Sequence, residues 1–249
     1  APRDPAEDFR LAPGRIESRT TSRTRMFVLV NPVNPTGRVF TRSELEGLAE
    51  LACRHDLLIF ADEVYEDIVY DGAAHCSIAS LPGMAERTFS AFAFTKSFAM
   101  DGWRIGYLAA PAWAMAGLLK ITANDVTHVN TFIQAGAHAA ITGPGEVLAA
   151  LVEDDRRKRD FVVQRLNQMP GVRCALPQGA IYAFPDISGT GLPSQVLADM
   201  ILEQAHVVVE AGSFYGAAGE GHLRICFGSE SSARLEEGMN RLSSFFNRL

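Results

Sequence analysis

Residues 26–62 read MFVLVNPVNPTGRVFTRSELEGLAELACRHDLLIFAD, which places a polar, helix-like segment between two apolar runs. The apolar runs at the two ends predict buried strands. Thr41 and Glu44 have the spacing of a capping box, which predicts a helix from there to about Arg54. Continuously apolar strands that alternate with helices are typical of a mostly parallel α/β sheet covered by helices on both faces.

The alternation continues along the chain and then changes character. Residues 88–94 and 104–110 predict a third and a fourth strand, and the pattern after Pro111 is helical. We predict a partial large domain over residues 1–144, then a long linking helix and a small C-terminal α/β domain over residues 145–249. In the smaller domain we predict strands at 181–184, 207–209 and 223–227, a helix at 193–206, and a last helix capped by Ser231.

Composition excludes several classes of function. A net charge of −6 argues against a nucleic-acid surface, which would need a basic face. No apolar run approaches the length of a membrane span, and the N-terminus does not resemble a signal peptide. The four cysteines and six histidines show no metal-ligand spacing, so we expect no metal site. A reducing cytoplasm is the expected compartment. Acidic and basic residues are mixed over 153–159, which predicts a salt-bridged helix surface.

Three charged side chains stand in apolar surroundings. Lys96 lies among phenylalanines, and a lysine in such surroundings can be held neutral and form a Schiff base. Asp62 ends an apolar strand, where parallel sheets bind ligands and where a carboxylate needs a partner. Arg224 lies in another apolar run and needs an anion if it is buried. Arg104 follows Lys96 by eight residues and could grip a phosphate or form a surface ion pair.

These motifs together resemble the class I and II aminotransferases, which are pyridoxal-phosphate (PLP) enzymes of fold type I, the aspartate aminotransferase fold. The resemblance rests on Asn31 to Gly37, on Asp62 to Tyr65, and on the stretch from Lys96 through Arg104. It implies that Lys96 is the catalytic lysine that carries PLP as an internal aldimine and moves protons. It also implies that the chain moves an amino group between an L-amino acid and a 2-oxo acid.

The same resemblance implies a role for each site residue. Asp62 would pair with the pyridine nitrogen, and Tyr65 and Asn34 would bind the phenolic oxygen of PLP. Arg104 would bind the phosphate, and Arg224 with Asn34 would bind the substrate carboxylate. Asn34 also lies in strong turn chemistry, so it can be a turn residue as well. The segment 207–216 resembles a P-G-x-x-F-G loop in which Ala211 replaces the proline.

The chain departs from the family pattern at two points. Ala93 stands where the family often has a phosphate-binding serine. The resemblance also starts within the large domain, without the family's N-terminal arm, phosphate-capping loop and ring-stacking aromatic. If nothing precedes Ala1, we expect weak PLP binding and little turnover.

Two alternatives to transamination stay open at the level of sequence. One is a PLP-dependent carbon–sulfur β-lyase, which the segment 75–81 loosely resembles. The other is a non-catalytic truncated relative. The resemblance implies a homodimer, and the side-chain specificity for the amino acid is left open.

Overall fold

A computed structural model of the protein describes residues 9–249, so the first eight residues of the predicted large domain lie outside the described residues. The described chain forms two compact units. The first comprises Leu11–Pro32 and Val39–Val152, and the second comprises residues 9–10, Val33–Arg38 and Glu153–Leu249. The domain boundary expected near residue 145 stays a prediction.

A four-stranded sheet organises the first unit. Its strands are β1 (Met26–Val30), β2 (Leu58–Asp62), β3 (Thr88–Ala93) and β4 (Gly106–Ala109). Its helices are α1 (Pro13–Glu17), α2 (Arg42–Arg54), α3 (Phe94–Ser97), α4 (Met115–Asp125) and α5 (Thr131–Thr142). The strands follow the order β1-β2-β3-β4, with β1, β2 and β3 parallel and β4 antiparallel to β3. The predicted mostly parallel α/β sheet is therefore confirmed.

Helix α2 begins where the sequence predicts it. The Thr41 hydroxyl accepts a hydrogen bond from the Glu44 backbone N–H at 3.3 Å, and the Glu44 carboxylate accepts one from the Thr41 N–H at 2.9 Å. Both members of the capping box are thus formed. The apolar face of the helix buries Leu45, Leu48 and Leu51, which fixes α2 against the unit's core.

Part of the sheet is exposed, contrary to the coverage expected from its apolar strands. On β1 the Val28 side chain is 61% exposed, and all four residues of β4 are exposed. Helix α4 buries no residue. Within residues 9–249 the cover of the sheet is therefore incomplete at β1 and β4.

The second unit combines helices with a small antiparallel sheet. Its elements are α6 (Gly145–Leu166, which begins in the first unit), β5 (Tyr182–Ala183), α7 (Ser194–Ala205), β6 (Glu210–Ala211), β7 (Leu223–Cys226) and α8 (Ser232–Phe246). The strands follow the order β5-β7-β6. The position of the strand predicted at 207–209 is wrong. The hydrogen-bonded pairing with β7 starts only at Glu210. Ser231 caps α8 by accepting from the Arg234 N–H, as predicted.

The mixed charges of α6 form the expected ion pairs, and Arg159 pairs with Asp160 at 2.6 Å although it is buried. Arg156 bonds Glu153 at 2.7 Å, and Lys158 bonds Asp154 at 2.7 Å, both on the helix surface or near it. Arg159 also donates to the Pro177 carbonyl at 3.0 Å. The residue anchors the chain after α6 instead of facing water. No helix among residues 9–249 is both long enough and apolar enough to cross a membrane.

Candidate active site

Lys96 lies in α3, the single turn that follows β3. Its Nζ atom is 5.7 Å from the centroid of the Tyr65 ring, and Tyr65 is itself buried. Phe94 packs in a small apolar cluster with Met100, against which Phe98 also packs. The structure therefore brings Lys96 and Tyr65 together, and the residues that flank Lys96 in the chain belong to an apolar cluster.

Asp62 is the last residue of β2, and β2 pairs in parallel with β3, whose end leads to Lys96. Burial raises the pKa of the Asp62 carboxyl, while the Val64 backbone N–H at 3.5 Å and the charge of Lys96 act in the opposite direction. A half-buried carboxylate with so few donors is stabilised by a nearby cation. The position thus suits a partner that carries a positive charge.

Glu63, which follows Asp62 in the sequence, is the centre of a buried network. Its carboxylate accepts hydrogen bonds from Ser77 at 2.8 Å and from Ser90 at 3.3 Å, and it contacts the His75 ring nitrogen Nε2 at 3.2 Å. The other ring nitrogen of His75 lies 3.4 Å from the amide nitrogen of Asn31. The network ties the chain after β2 to β3. Strand alternation was the available signal in the sequence, because it directs the side chain next to Asp62 towards the opposite face of the sheet.

Glu66 is a second carboxyl group that the sequence did not single out. Its Oε2 atom is buried without a hydrogen-bond partner among the described residues. Burial raises the pKa of Glu66 to about 7, and the nearby carboxylates of Asp67, Glu63 and Asp62 add to the shift. The acidic segment after β2 therefore contains a carboxyl group that titrates near neutral pH.

Arg104 is exposed and follows a short 3-10 turn with a left-handed backbone (φ 55°). Its guanidinium donates to the Asp101 carbonyl at 2.9 Å. Over residues 9–249 no hydrogen bond or ion pair joins Arg104 to Asp62. The Ser97 hydroxyl, next to Lys96, is buried and has no partner within the same residues.

Arg224 lies on β7 in the second unit and is surrounded by polar and aromatic groups. It donates to the Asn34 side-chain carbonyl at 3.0 Å and forms an ion pair with Glu210. The guanidinium carbon lies 4.4 Å from the centroid of the Tyr182 ring and 5.5 Å from that of Tyr215. The structure therefore brings together the two residues predicted to bind a carboxylate, Arg224 and Asn34.

The turn that carries Asn34 is fixed by its own backbone. The Val33 N–H donates to the Arg38 carbonyl at 2.9 Å, and the Gln178 and Gly179 N–H groups both donate to the Gly37 carbonyl. Gly37 has φ +68°, and a Cβ atom there would lie 2.4 Å from the Pro177 Cβ. Only glycine combines this backbone conformation with so close an approach.

Glu210 is the residue of this cluster that sequence reasoning missed. It stands opposite Arg224 in the register of β6 with β7, and its other carboxylate oxygen accepts from the Tyr215 hydroxyl. Burial and this hydrogen bond to Glu210 raise the pKa of Tyr215. The requirement of a buried arginine for an anion was the available signal, because it predicts an acidic neighbour.

The sequence matches a family model described as aminotransferase class I and II over residues 1–242. It is 42% identical over 237 residues to aromatic-amino-acid aminotransferase 2 of Thermococcus litoralis, which covers 94% of this chain and 60% of that protein. It is 41% identical over 239 residues to an aspartate aminotransferase of Pyrococcus abyssi, with the same two shares covered. The chain thus spans about 60% of the length of these curated relatives.

Solved structures give the same result for the fold. The structure of an aromatic aminotransferase from Pyrococcus horikoshii OT3 superposes with a TM-score of 0.94 at 39% identity, covering 99% of this chain and 66% of that one. An aspartate aminotransferase from Rhizobium meliloti superposes with a TM-score of 0.92 at 32% identity, covering 99% and 64% of the two chains. The chain therefore belongs to the family of class I and II aminotransferases, with their α/β fold.

Proposed function

We propose that the protein is a PLP-dependent aminotransferase that moves an amino group between an L-amino acid and a 2-oxo acid. The observation that carries this proposal is Lys96 beside Tyr65, in the same unit as a half-buried Asp62. Family membership supports the reaction class. The chain spans about 60% of the length of its relatives, so the activity of the whole protein is part of this proposal.

The residues of the first unit fit PLP in their chemistry. Burial raises the pKa of Asp62, and a protonated pyridine nitrogen would give this carboxylate the cation that the unit otherwise supplies only through Lys96. The Ser97 hydroxyl has no partner among the described residues and is a donor available to a ligand next to Lys96. When bound, PLP supplies an electron sink for the substrate Cα.

Each predicted site residue has a distinct task in this proposal. The Lys96 amine would hold the cofactor and move a proton at the substrate Cα, while Asp62 would keep the ring nitrogen protonated. The Tyr65 hydroxyl would donate to the phenolic oxygen of the cofactor, and the resemblance implies the same role for the Asn34 amide. Arg104 binds the phosphate, for which its exposed guanidinium leaves donors free beyond its bond to Asp101.

Arg224 is proposed to bind the substrate carboxylate through its guanidinium, with Asn34 holding the arginine in place. The 3.0 Å hydrogen bond between these side chains supports this role, since it orients the planar donor group. The relatives are named for aromatic and for dicarboxylic amino acids, so we propose the reaction class and no side-chain specificity.

Transamination is favoured over β-elimination because the relatives compared above are named as aminotransferases. The experiment supplies the PLP-treated chain with single amino donors and 2-oxoglutarate and measures the 2-oxo acid that forms. We expect a new 2-oxo acid from at least one of aspartate or phenylalanine, and none from a Lys96→Ala variant. Pyruvate and thiol released from cystathionine without any acceptor would instead support the lyase.

We also propose a homodimer in the cytoplasm, which the resemblance to fold type I enzymes supports. Sedimentation equilibrium of the purified chain with PLP tests the assembly, and a monomeric mass at micromolar concentration would contradict the dimer.

A further inference from the structure

The arginine proposed to bind the substrate carboxylate already holds a carboxylate of its own chain. Glu210 forms an ion pair with the Arg224 Nη2 atom, and the β6–β7 register sets the two residues directly opposite each other. Side chains that face each other across an antiparallel pair lie on the same face of the sheet. The contact therefore follows from the backbone pairing and is not a chance surface encounter.

Two aromatic residues enclose this ion pair. The rings of Tyr182 and Tyr215 lie 4.4 Å and 5.5 Å from the guanidinium carbon, and the Tyr215 hydroxyl donates to the second oxygen of Glu210. The side chain of Arg224 is 16% exposed, whereas that of Glu210 is 42% exposed. The arginine is thus fixed in place, while the glutamate has solvent on one side into which it can turn.

Arg224 also keeps unused donor capacity. Its Nη1 atom donates to Asn34 and its Nη2 atom to Glu210, but its Nε atom is buried without a partner in the described part of the chain. An unsatisfied buried donor is unfavourable and is satisfied when a ligand oxygen reaches it. A ligand carboxylate could therefore bind to Arg224 if Glu210 moves away from the guanidinium or if both carboxylates share it.

We infer that Glu210 sets the affinity of the substrate position by competing with incoming carboxylates for Arg224. This inference rests on the proposed function of Arg224 as the carboxylate-binding residue. A ligand carboxylate gains the guanidinium only if Glu210 turns towards solvent or shares it at the cost of repulsion between like charges. Glu210 thus lowers the affinity of Arg224 for any ligand that binds there through a single carboxylate.

The test measures the binding of sodium pyruvate to the 249-residue chain by isothermal titration calorimetry. Glu210→Gln keeps the shape of the side chain but removes its charge, so we expect pyruvate to bind about tenfold more tightly than to the unmodified chain. Tyr215→Phe removes the second bond to Glu210 and should give a smaller gain in affinity. Glu203→Gln, an exposed glutamate on α7, changes net charge equally and should leave the affinity unchanged.

Equal or weaker binding of pyruvate by folded Glu210→Gln, or no detectable binding by it, would overturn the inference. Tighter binding that Glu203→Gln reproduces would overturn it as well, because the effect would then follow net charge alone. Thermal unfolding of each variant establishes that it is folded. Covalent attachment of PLP at Lys96 tests the proposed function separately, so attachment with unchanged pyruvate affinity in Glu210→Gln would reject only the role of Glu210.

Discussion

At the scale of single residues, the candidate site combines residues of short motifs with carboxylates whose partners come from other parts of the chain. Lys96 and Tyr65 could be recognised because each lies in a short motif, and the structure brings them together. The carboxylates Glu63 and Glu210 were missed because their roles depend on residues that are distant in the sequence. Partners such as Ser77 for Glu63 and Arg224 for Glu210 become neighbours only once the strands pair.

Glu66 gives a residue-scale prediction of pH dependence. Burial raises its pKa from 4.5 to about 7, so the folded state holds the proton to a higher pH than the unfolded state does. The contribution of Glu66 to stability is therefore lost as pH rises from about 4.5 to about 7. We expect Glu66→Gln to remove this loss and to raise the urea midpoint above that of the unmodified chain at pH 8.

Urea unfolding at pH 5 and at pH 8 measures this effect. The gain in stability of Glu66→Gln should be larger at pH 8, where the unmodified carboxyl is ionised. Glu50→Gln is the matched control, since Glu50 is exposed on α2 and should show no such difference between the two pH values. An equal gain at both pH values would show that Glu66 is not the titrating group.

At the scale of elements, prediction succeeded where local chemistry fixes the structure. The capping box at Thr41 placed the start of α2 correctly, because side chain and backbone there bond to each other over three residues. The strand expected at 207–209 was misplaced. Its three valines have strand propensity, but pairing with β7 starts at Glu210, and Val208 is 79% exposed. The pairing of β6 with β7 therefore overrode the strand propensity of the valines.

The turn that carries Asn34 allows a sharper test at this scale. Gly37 and Gly72 both have positive φ, but an added Cβ would lie 2.4 Å from the Pro177 Cβ at Gly37 and would meet nothing within 4 Å at Gly72. We expect Gly72→Ala to cost about 1 kcal/mol of stability through backbone strain. Gly37→Ala should cost roughly 2–4 kcal/mol, because overpacking adds to the same strain.

Chemical unfolding of the two glycine variants provides the comparison. The result should be a lower denaturant midpoint for Gly37→Ala than for Gly72→Ala, with an unchanged dependence on denaturant concentration. Equal midpoints would mean that the contact between the turn and Pro177 does not constrain the position of Asn34.

At the scale of the whole molecule, the sequence predicted the fold class and the family, and both are confirmed. The exposure of Val28 and of β4 could not be read from apolar strands, because a strand's composition does not say which neighbours are present to cover it. Val33–Arg38 groups with the second unit, although the chain on either side of it groups with the first.

The central claim is that Lys96 binds PLP covalently, and borohydride reduction followed by peptide mass spectrometry tests it most directly. The chain has only three lysines, Lys96, Lys120 and Lys158, so the site of attachment can be assigned without ambiguity. We expect the reduced cofactor on the peptide that contains Lys96, together with an absorbance band that a Lys96→Ala variant lacks. No attachment in a chain shown to be folded, or attachment at Lys120 or Lys158 alone, would contradict the assignment.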